Sequence, residues 1–388
     1  MVRLGDICKT TAGGTPLKTK KEYYENGNIP WLMSGEVCKK EIFDSTNFIT
    51  LKGVENSSAK IFPADTTLVA MYGATAGQVG ILRFPSTTNQ AVCGILPSDK
   101  YSPEFLYYYL TFYKETLLLE VSGVAQPNLS QIKIKNILLP KINLQLQSKI
   151  VEKLDVIFAQ IEKASMSVKA NSKNATDLYS SSVNLIFEKI TEKSIKLNEC
   201  SQIEYGYTAK SSNEFNGPQY LRITDIQDDF VDWLKVPCIE DNVNAVRKYL
   251  LKTGDIVFAR TGATTGKSYL LYEPPMAVFA SYLIRVDVNR AIAEPEFLRH
   301  FFKSKKYWNA ISSGISGAAQ GGFNASKLGE MQLPLIDKKS QLKAIEKLDE
   351  IESYSRVAKR AYESKLLELD KLKQSILQRA FNGELVKE

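Results

Sequence analysis

The sequence predicts an α+β protein written twice. Two similar globular domains each precede one long helix, and the helices pair as an antiparallel coiled coil in a pseudo-twofold internal repeat. Three observations predict this. Five short motifs recur in one order at an offset of roughly 190 residues: Tyr72-Gly-Ala-Thr-Ala-Gly77 with Thr261-Gly-Ala-Thr-Thr-Gly266, Pro103–Leu106 with Pro295–Leu298, Ser122–Gln126 with Ser316–Gln320, Leu139-Pro140 with Leu333-Pro334, and Glu152–Asp155 with Glu346–Asp349. The span 141–205 lacks glycine and proline, although the chain carries 22 and 14 of them. Within that span apolar residues return at alternating steps of four and three, the signature of a coiled-coil seam.

Taken in order, 1–140 is the first globular domain. It is rich in Gly, Pro, Thr and aromatics, with a β-type run at Thr67–Met71 bounded by turn residues. Pro103 and Glu104 open a helix, proline near its first position and glutamate in its first turn. The central long helix is expected over 141–196. Its seam is Ile150, Leu154, Ile157, Ile161, Ala164, Val168, Asn171, Ala175, Leu178, Ser182 and Leu185. The second globular domain, 197–334, repeats the pattern with strands at Asp255–Ala259 and Phe279–Ile284 and a helix opened by Pro295. The last helix, 335–388, continues the register with Ala344, Leu348, Ile351, Ser355, Ala358, Tyr362, Lys365, Leu369, Leu372, Ile376 and Arg379. Asn171 and Lys365 share a slot where a polar residue can fix register.

The segment Thr261–Ser268 ends in Gly-Lys-Ser behind an apolar run, as a phosphate loop would. A phosphate loop needs glycine at the position held by Thr261, and it leads into a helix. Here Gly262 comes one residue late, and a short segment closed by Pro274 and Pro275 follows. The first copy ends Gly77-Gln78, without the lysine. The turn is therefore structural, and an NTPase built on Lys267 is a minor alternative.

Composition excludes other chemistry. Five scattered cysteines without a Cys-x-x-Cys pair argue against a disulfide framework or a zinc site. The lone histidine, His300, is expected on a helix surface. No nucleophile elbow or His-Glu-x-x-His motif occurs, and Glu273-Pro-Pro-Met276 lacks the polar and aromatic groups of an amino-methyltransferase site. No metal, cofactor or catalytic residue is assigned. The net charge of +7 and pI near 8.9 give a mild bias towards polyanions. No run approaches the roughly 18 apolar residues of a membrane span, and the opening lacks a secretory layout, so a cytoplasmic protein is expected.

The order of parts resembles the specificity subunits of type I restriction-modification enzymes over essentially the whole chain. The resemblance is carried by Leu4-Gly-Asp-Ile7, the Gly254–Lys267 segment and the two Leu-Pro exits, each followed by a glutamine and Glu-Lys-Leu-Asp. The ending Gln374–Val386 adds to it. The resemblance implies a non-catalytic subunit whose two target recognition domains each bind half of a split double-stranded DNA site. It implies that the helices dock two methyltransferase (modification) subunits, and that restriction/translocase subunits join for cleavage. S-adenosylmethionine, ATP and Mg would then sit on those partners only. A seam of about 36 residues at about 1.5 Å each would span about one and a half duplex turns. A coiled-coil scaffold that binds proteins is the structural alternative, and it predicts no salt-dependent DNA affinity.

Candidate DNA contacts are polar residues of turn-rich segments. In the first domain they are Thr15, Lys18, Lys20, Tyr72, Thr75, Gln78 and Asn89. In the second they are Tyr207, Lys210, Ser211, Arg222, Thr224, Arg260, Thr264 and Lys267. Arg260 and Gln78 lead, because guanidinium and amide groups pair with guanine and adenine edges. The two domains differ outside the shared turns, so an asymmetric target is expected.

Overall fold

The computed structural model describes residues 1–119, 129–190, 193–214, 216–227, 229–315 and 323–386. The Ser122–Gln126 and Ser316–Gln320 repeat match lies outside the described residues. The chain forms two compact units, Met1–Ser167 with Lys365–Glu388, and Val168–Ser364. Each unit therefore contains one globular part, part of the central helix and part of the last helix. Among the described residues no helix is long and apolar enough to cross a membrane.

In the first unit, a five-stranded sheet runs Thr10–Ala12, Val92–Ile95, Thr66–Ala70, Val79–Leu82, Glu41–Ile42. A smaller sheet runs Phe48–Ile49, Ile29–Leu32, Thr87–Thr88, its last pair parallel. Thr66–Ala70 is buried at every position, as a short apolar run covered on both faces should be. The helix Pro103–Leu119 packs on this sheet, and Phe105 meets Phe381 edge-on at 5.6 Å between ring centres.

The second unit repeats these layers. One sheet runs Ser201–Tyr205, Leu283–Val288, Ile256–Ala259, Ser268–Leu270. The other contains Cys238–Ile239, Gln219–Leu221 and Ala277–Phe279, again with a parallel last pair. The strand expected over Phe279–Ile284 is in fact two strands in two sheets. Ser281 and Tyr282 lie at the crossing, where Leu283 N–H closes a turn onto the Ala280 carbonyl at 2.8 Å. Apolar propensity marks both flanks of such a crossing, but the change of sheet is a tertiary event.

The long helices are Leu144–Lys189 and Lys338–Phe381. The expected helical span 141–196 thus ends in a short strand, Ser194–Lys196, paired with Gln332–Pro334. In each unit the two helices run antiparallel. Lys153 donates to the Leu385 carbonyl at 2.7 Å and Lys373 faces Glu162 at 3.4 Å in the first unit. In the second, Ser355 donates to the Ala175 carbonyl at 2.6 Å, and Phe187 shares a core with Leu348.

The buried stripe departs from the heptad register. Ile150, Leu154, Ile161, Leu348 and Leu369 are buried, and Ile157, Val168, Ile351, Tyr362 and Ile376 are partly so. Ala175 and Ser355, both expected in the seam, are buried too, but Asn171, Leu178, Leu185, Lys365 and Leu372 are exposed, and Ser165, Val183, Phe187, Leu377 and Ala380 are buried instead. An α-helix turns every 3.6 residues, so a straight one drifts about 20° per heptad from a 3.5-residue seam. The buried stripe from Ile150 to Phe187 follows the helix's own period of about 3.6 residues. The Asn171/Lys365 slot is therefore not a buried register device.

Two buried glutamines tie each globular part to its helix. Gln147 Nε2 donates to the Lys100 and Ile142 carbonyls (2.8 and 3.2 Å), and its Oε1 accepts from Ser102 N–H at 3.0 Å. Gln341 does the same with the Ile292 and Ile336 carbonyls (3.1 and 2.9 Å) and Glu294 N–H at 2.9 Å. Their amides are satisfied, which removes the penalty of burying them.

Candidate nucleic-acid interface

The Gly-Ala-Thr-x-Gly segment is a β-hairpin connection in both units. In the first, Gly77 N–H donates to the Ala70 carbonyl (2.8 Å) and Gln78 N–H to the Thr75 carbonyl (3.0 Å). In the second, Gly266 N–H donates to Ala259 (2.9 Å), Lys267 N–H to Thr264 (2.9 Å) and Thr265 N–H to Gly262 (3.1 Å). These amides close the turn and are not free to cradle a phosphate. A strand, Ser268–Leu270, follows rather than a helix. Gly73 and Gly262 have φ of +70° and +75°, and a Cβ on either would meet nothing within 4 Å. The glycines are needed for the backbone conformation rather than for room.

The repeat continues beyond the motifs visible in the sequence. Trp31 Nε1 donates to the Gly14 carbonyl at 3.0 Å, and Tyr220 Oη donates to the Tyr207 carbonyl at 2.7 Å. Met33 N–H reaches Glu36 at 2.7 Å, and Arg222 N–H reaches Asp225 at 2.8 Å. The strand registers pair Ala12 with Cys93 and Tyr205 with Ile284, and both partners lie across from equivalent strands, at Val69 and Phe258. Met71 N–H bonds the Ala91 carbonyl (2.8 Å), as Arg260 N–H bonds that of Tyr282 (3.2 Å). Ala12, Met71 and Ala91 of the first unit thus correspond to Tyr205, Arg260 and Tyr282 of the second.

The expected contact residues divide by what the fold has already done with them. In the second unit Lys210, Thr224 and Lys267 are exposed, and Thr264 sits on the hairpin turn. Arg260 is half-buried, with its guanidinium 4.7 Å from the centre of the Tyr205 ring. Arg222 is committed: its Nε and Nη2 form a fork with Asp225 at 3.0 and 2.7 Å. Tyr207 packs its ring on Tyr249 at 5.1 Å, and Ser211 lies in a paired strand. In the first unit Lys18, Lys20 and Tyr72 are exposed, while Thr75 and Gln78 lie on the turn, half-buried. Thr15 bonds the exposed Gln90. Asn89, expected as a contact, is buried; its Oδ1 accepts from Ala91 N–H at 3.2 Å, which fixes the sheet crossing. Tyr205, Tyr282 and Gln90 did not stand out in the sequence. The signal that could have found them is an aromatic or amide beside a turn residue at the end of a strand.

His300 is a correction. It is fully buried rather than on a surface, with Nδ1 2.8 Å from Tyr179 Oη and Nε2 3.0 Å from Asp349. The helix Pro295–Phe301 buries five of its residues, which leaves no surface for the ring. Burial, aided by the neighbouring Arg299, pushes the imidazole pKa down to about 4. His300, Asp349 and Glu352 are close enough to share a cation. Arg299 already pairs with both carboxylates, reaching Glu352 at 2.7 Å, and supplies the positive charge there.

The sequence profile of the type I restriction modification DNA specificity domain matches residues 1–168 and 189–362. The EcoR124I/EcoR124II specificity subunit of Escherichia coli is 28% identical over 157 residues, 39% of this chain and 39% of that one. The MjaIX specificity subunit of Methanocaldococcus jannaschii is 31% identical over 182 residues, 46% of this chain and 42% of that one. The chain thus matches less than half the length of these two relatives. A solved chain from work on assembly and conformational transition of the type I R-M system superposes with a TM-score of 0.79 at 18% identity, covering 99% of this chain and 97% of that one. This shows a shared fold. With both halves of the sequence matched by one profile, the chain belongs to the family of type I restriction-modification DNA specificity subunits.

Proposed function

We propose that this chain is the non-catalytic, DNA-reading component of a type I restriction-modification complex. Each globular part reads one half of a split, asymmetric double-stranded site. The chain also gathers two modification subunits and the restriction/translocase subunits around that site. The observation that carries this reading is one scaffold built twice with different tips. The order of the shared strands, the hairpin turn and the Trp31/Tyr220 anchor are kept, whereas Ala12, Met71 and Ala91 become Tyr205, Arg260 and Tyr282. A catalytic duplication would keep the same reactive groups at the tips; a pair of readers needs them to differ.

Within this reading, Lys18, Lys20, Lys210 and Lys267 position the phosphate backbone. Thr15 with Gln90, Gln78, Arg260 and Thr264 face bases. The test is to map methylated adenines genome-wide in the source organism with and without this gene. Loss of one split, asymmetric motif is expected. Purified complexes that bind a random duplex as well as the mapped site would sink the reading.

A further inference from the structure

Arg260 stands apart from the other half-buried or buried arginines of the second unit. Arg285 pairs with Glu204, Arg299 with Asp349 and Glu352, and Arg222 with Asp225. Arg260 has no carboxylate partner among the described residues. Its Nη1 donates to the Ser281 carbonyl at 3.3 Å; its Nε is buried without an acceptor, as are those of Arg285 and Arg299, so the missing carboxylate is what distinguishes it. A half-buried guanidinium with no carboxylate beside it keeps Nη donors that a ligand can complete.

Its orientation is fixed as well. The guanidinium lies on the Tyr205 ring, and that ring is itself pinned, because Ala325 N–H donates to Tyr205 Oη at 3.0 Å. The arginine's own backbone is held on both sides, by Tyr282 O at 3.2 Å and by Phe323 N–H at 2.9 Å. Beside it Tyr205 and Tyr282 are exposed. Gly262, two residues on, leaves the turn without a side chain. A planar donor pair held in one orientation next to exposed aromatics suits a planar acceptor pair.

We propose that Arg260 reads a guanine in the half-site of the second domain, with Tyr205 as the platform that sets its plane. The inference rests on the DNA-reading function proposed above and adds a base and a position to it. Nη1 and Nη2 would donate to guanine O6 and N7, the pairing that a flat two-pronged donor makes in the major groove. A phosphate contact does not need that fixed plane; the exposed Lys267 on the same turn is suited to it. The first domain holds Met71 at the equivalent place, buried to 2% exposure, with Ala12 in place of the tyrosine. It therefore reads its half-site without this device.

The test uses the complete complex with its modification subunits, methylating a library of duplexes randomised around the mapped site. Wild-type, Arg260→Lys, Arg260→Met and Tyr205→Leu complexes are compared by sequencing the methylated products. The expected result is one guanine of the second half-site whose discrimination falls roughly tenfold to a hundredfold in Arg260→Lys. Every position of the first half-site should stay unchanged. Tyr205→Leu should relax the same position by less. Arg260→Lys keeps the charge, so it separates the two roles even if Arg260→Met does not assemble. An unchanged motif in Arg260→Lys overturns the inference while leaving the DNA-reading function intact. So does a uniform loss in Arg260→Met that Arg260→Lys restores, which is the mark of a phosphate contact. A wild-type complex with no split motif removes the parent reading and this inference with it.

Discussion

At the scale of single residues, His300 shows how burial sets charge. Its ring sits between Tyr179 and Asp349, and Arg299 Nη2 lies 3.1 Å from Nε2, so protonation would crowd two cations. Its pKa falls from 6.5 in the unfolded chain to about 4 in the fold. The unfolded chain therefore binds more protons between these values. Stability is complete above about pH 6.5 and is lost as pH falls towards 4, by roughly 2–3 kcal/mol. Urea midpoints across that window should show the loss, and His300→Asn should flatten it; equal slopes in both proteins would refute the assignment. The sequence shows such a residue as a polar letter in a helix, because no local pattern encodes which neighbours will bury it. Asn89 and Arg222 are further polar letters whose partners no local pattern assigns. An asparagine beside a turn and an arginine after a strand look free until Ala91 N–H and Asp225 are found bonded to them.

At the scale of elements, the presence and pairing of the long helices were legible, because the absence of glycine and proline and an apolar stripe are local properties. Their register was legible only in part. A seam read with a 3.5-residue step holds for the first turns and then slides off the buried face, since nothing here winds the helices to the heptad period. Paired substitutions test this. Leu154→Ala, at a fully buried site, should cost about 2–5 kcal/mol. Leu178→Ala, at a site 46% exposed, should stay within about 0.5 kcal/mol. Thermal melts of the two variants decide between the registers, since a true heptad seam predicts similar losses. The hairpin turn teaches the converse. Its glycines could be assigned from the sequence, because positive φ at Gly73 and Gly262 is a demand that few residues meet.

At the scale of the whole molecule, duplication with divergence makes the functional prediction. Replacing 197–334 by the corresponding domain of another family member should change one half of the methylated motif and leave the other intact. Adenine-methylation sequencing reads this directly, and a change in both halves would contradict one reader per half-site. The two-copy plan, the α+β class and the helix pairing can all be read from the letters alone. Repeats, breakers and periodicity are written in neighbouring letters, and they survive without knowledge of the fold. Which polar side chains are used inside and which remain for a ligand depends on how the chain packs. That packing also brings Tyr205, Arg260 and Tyr282 together from three distant segments. The reason is physical: a site is made where strands from different parts of the chain end side by side, and a one-dimensional pattern carries no record of that meeting.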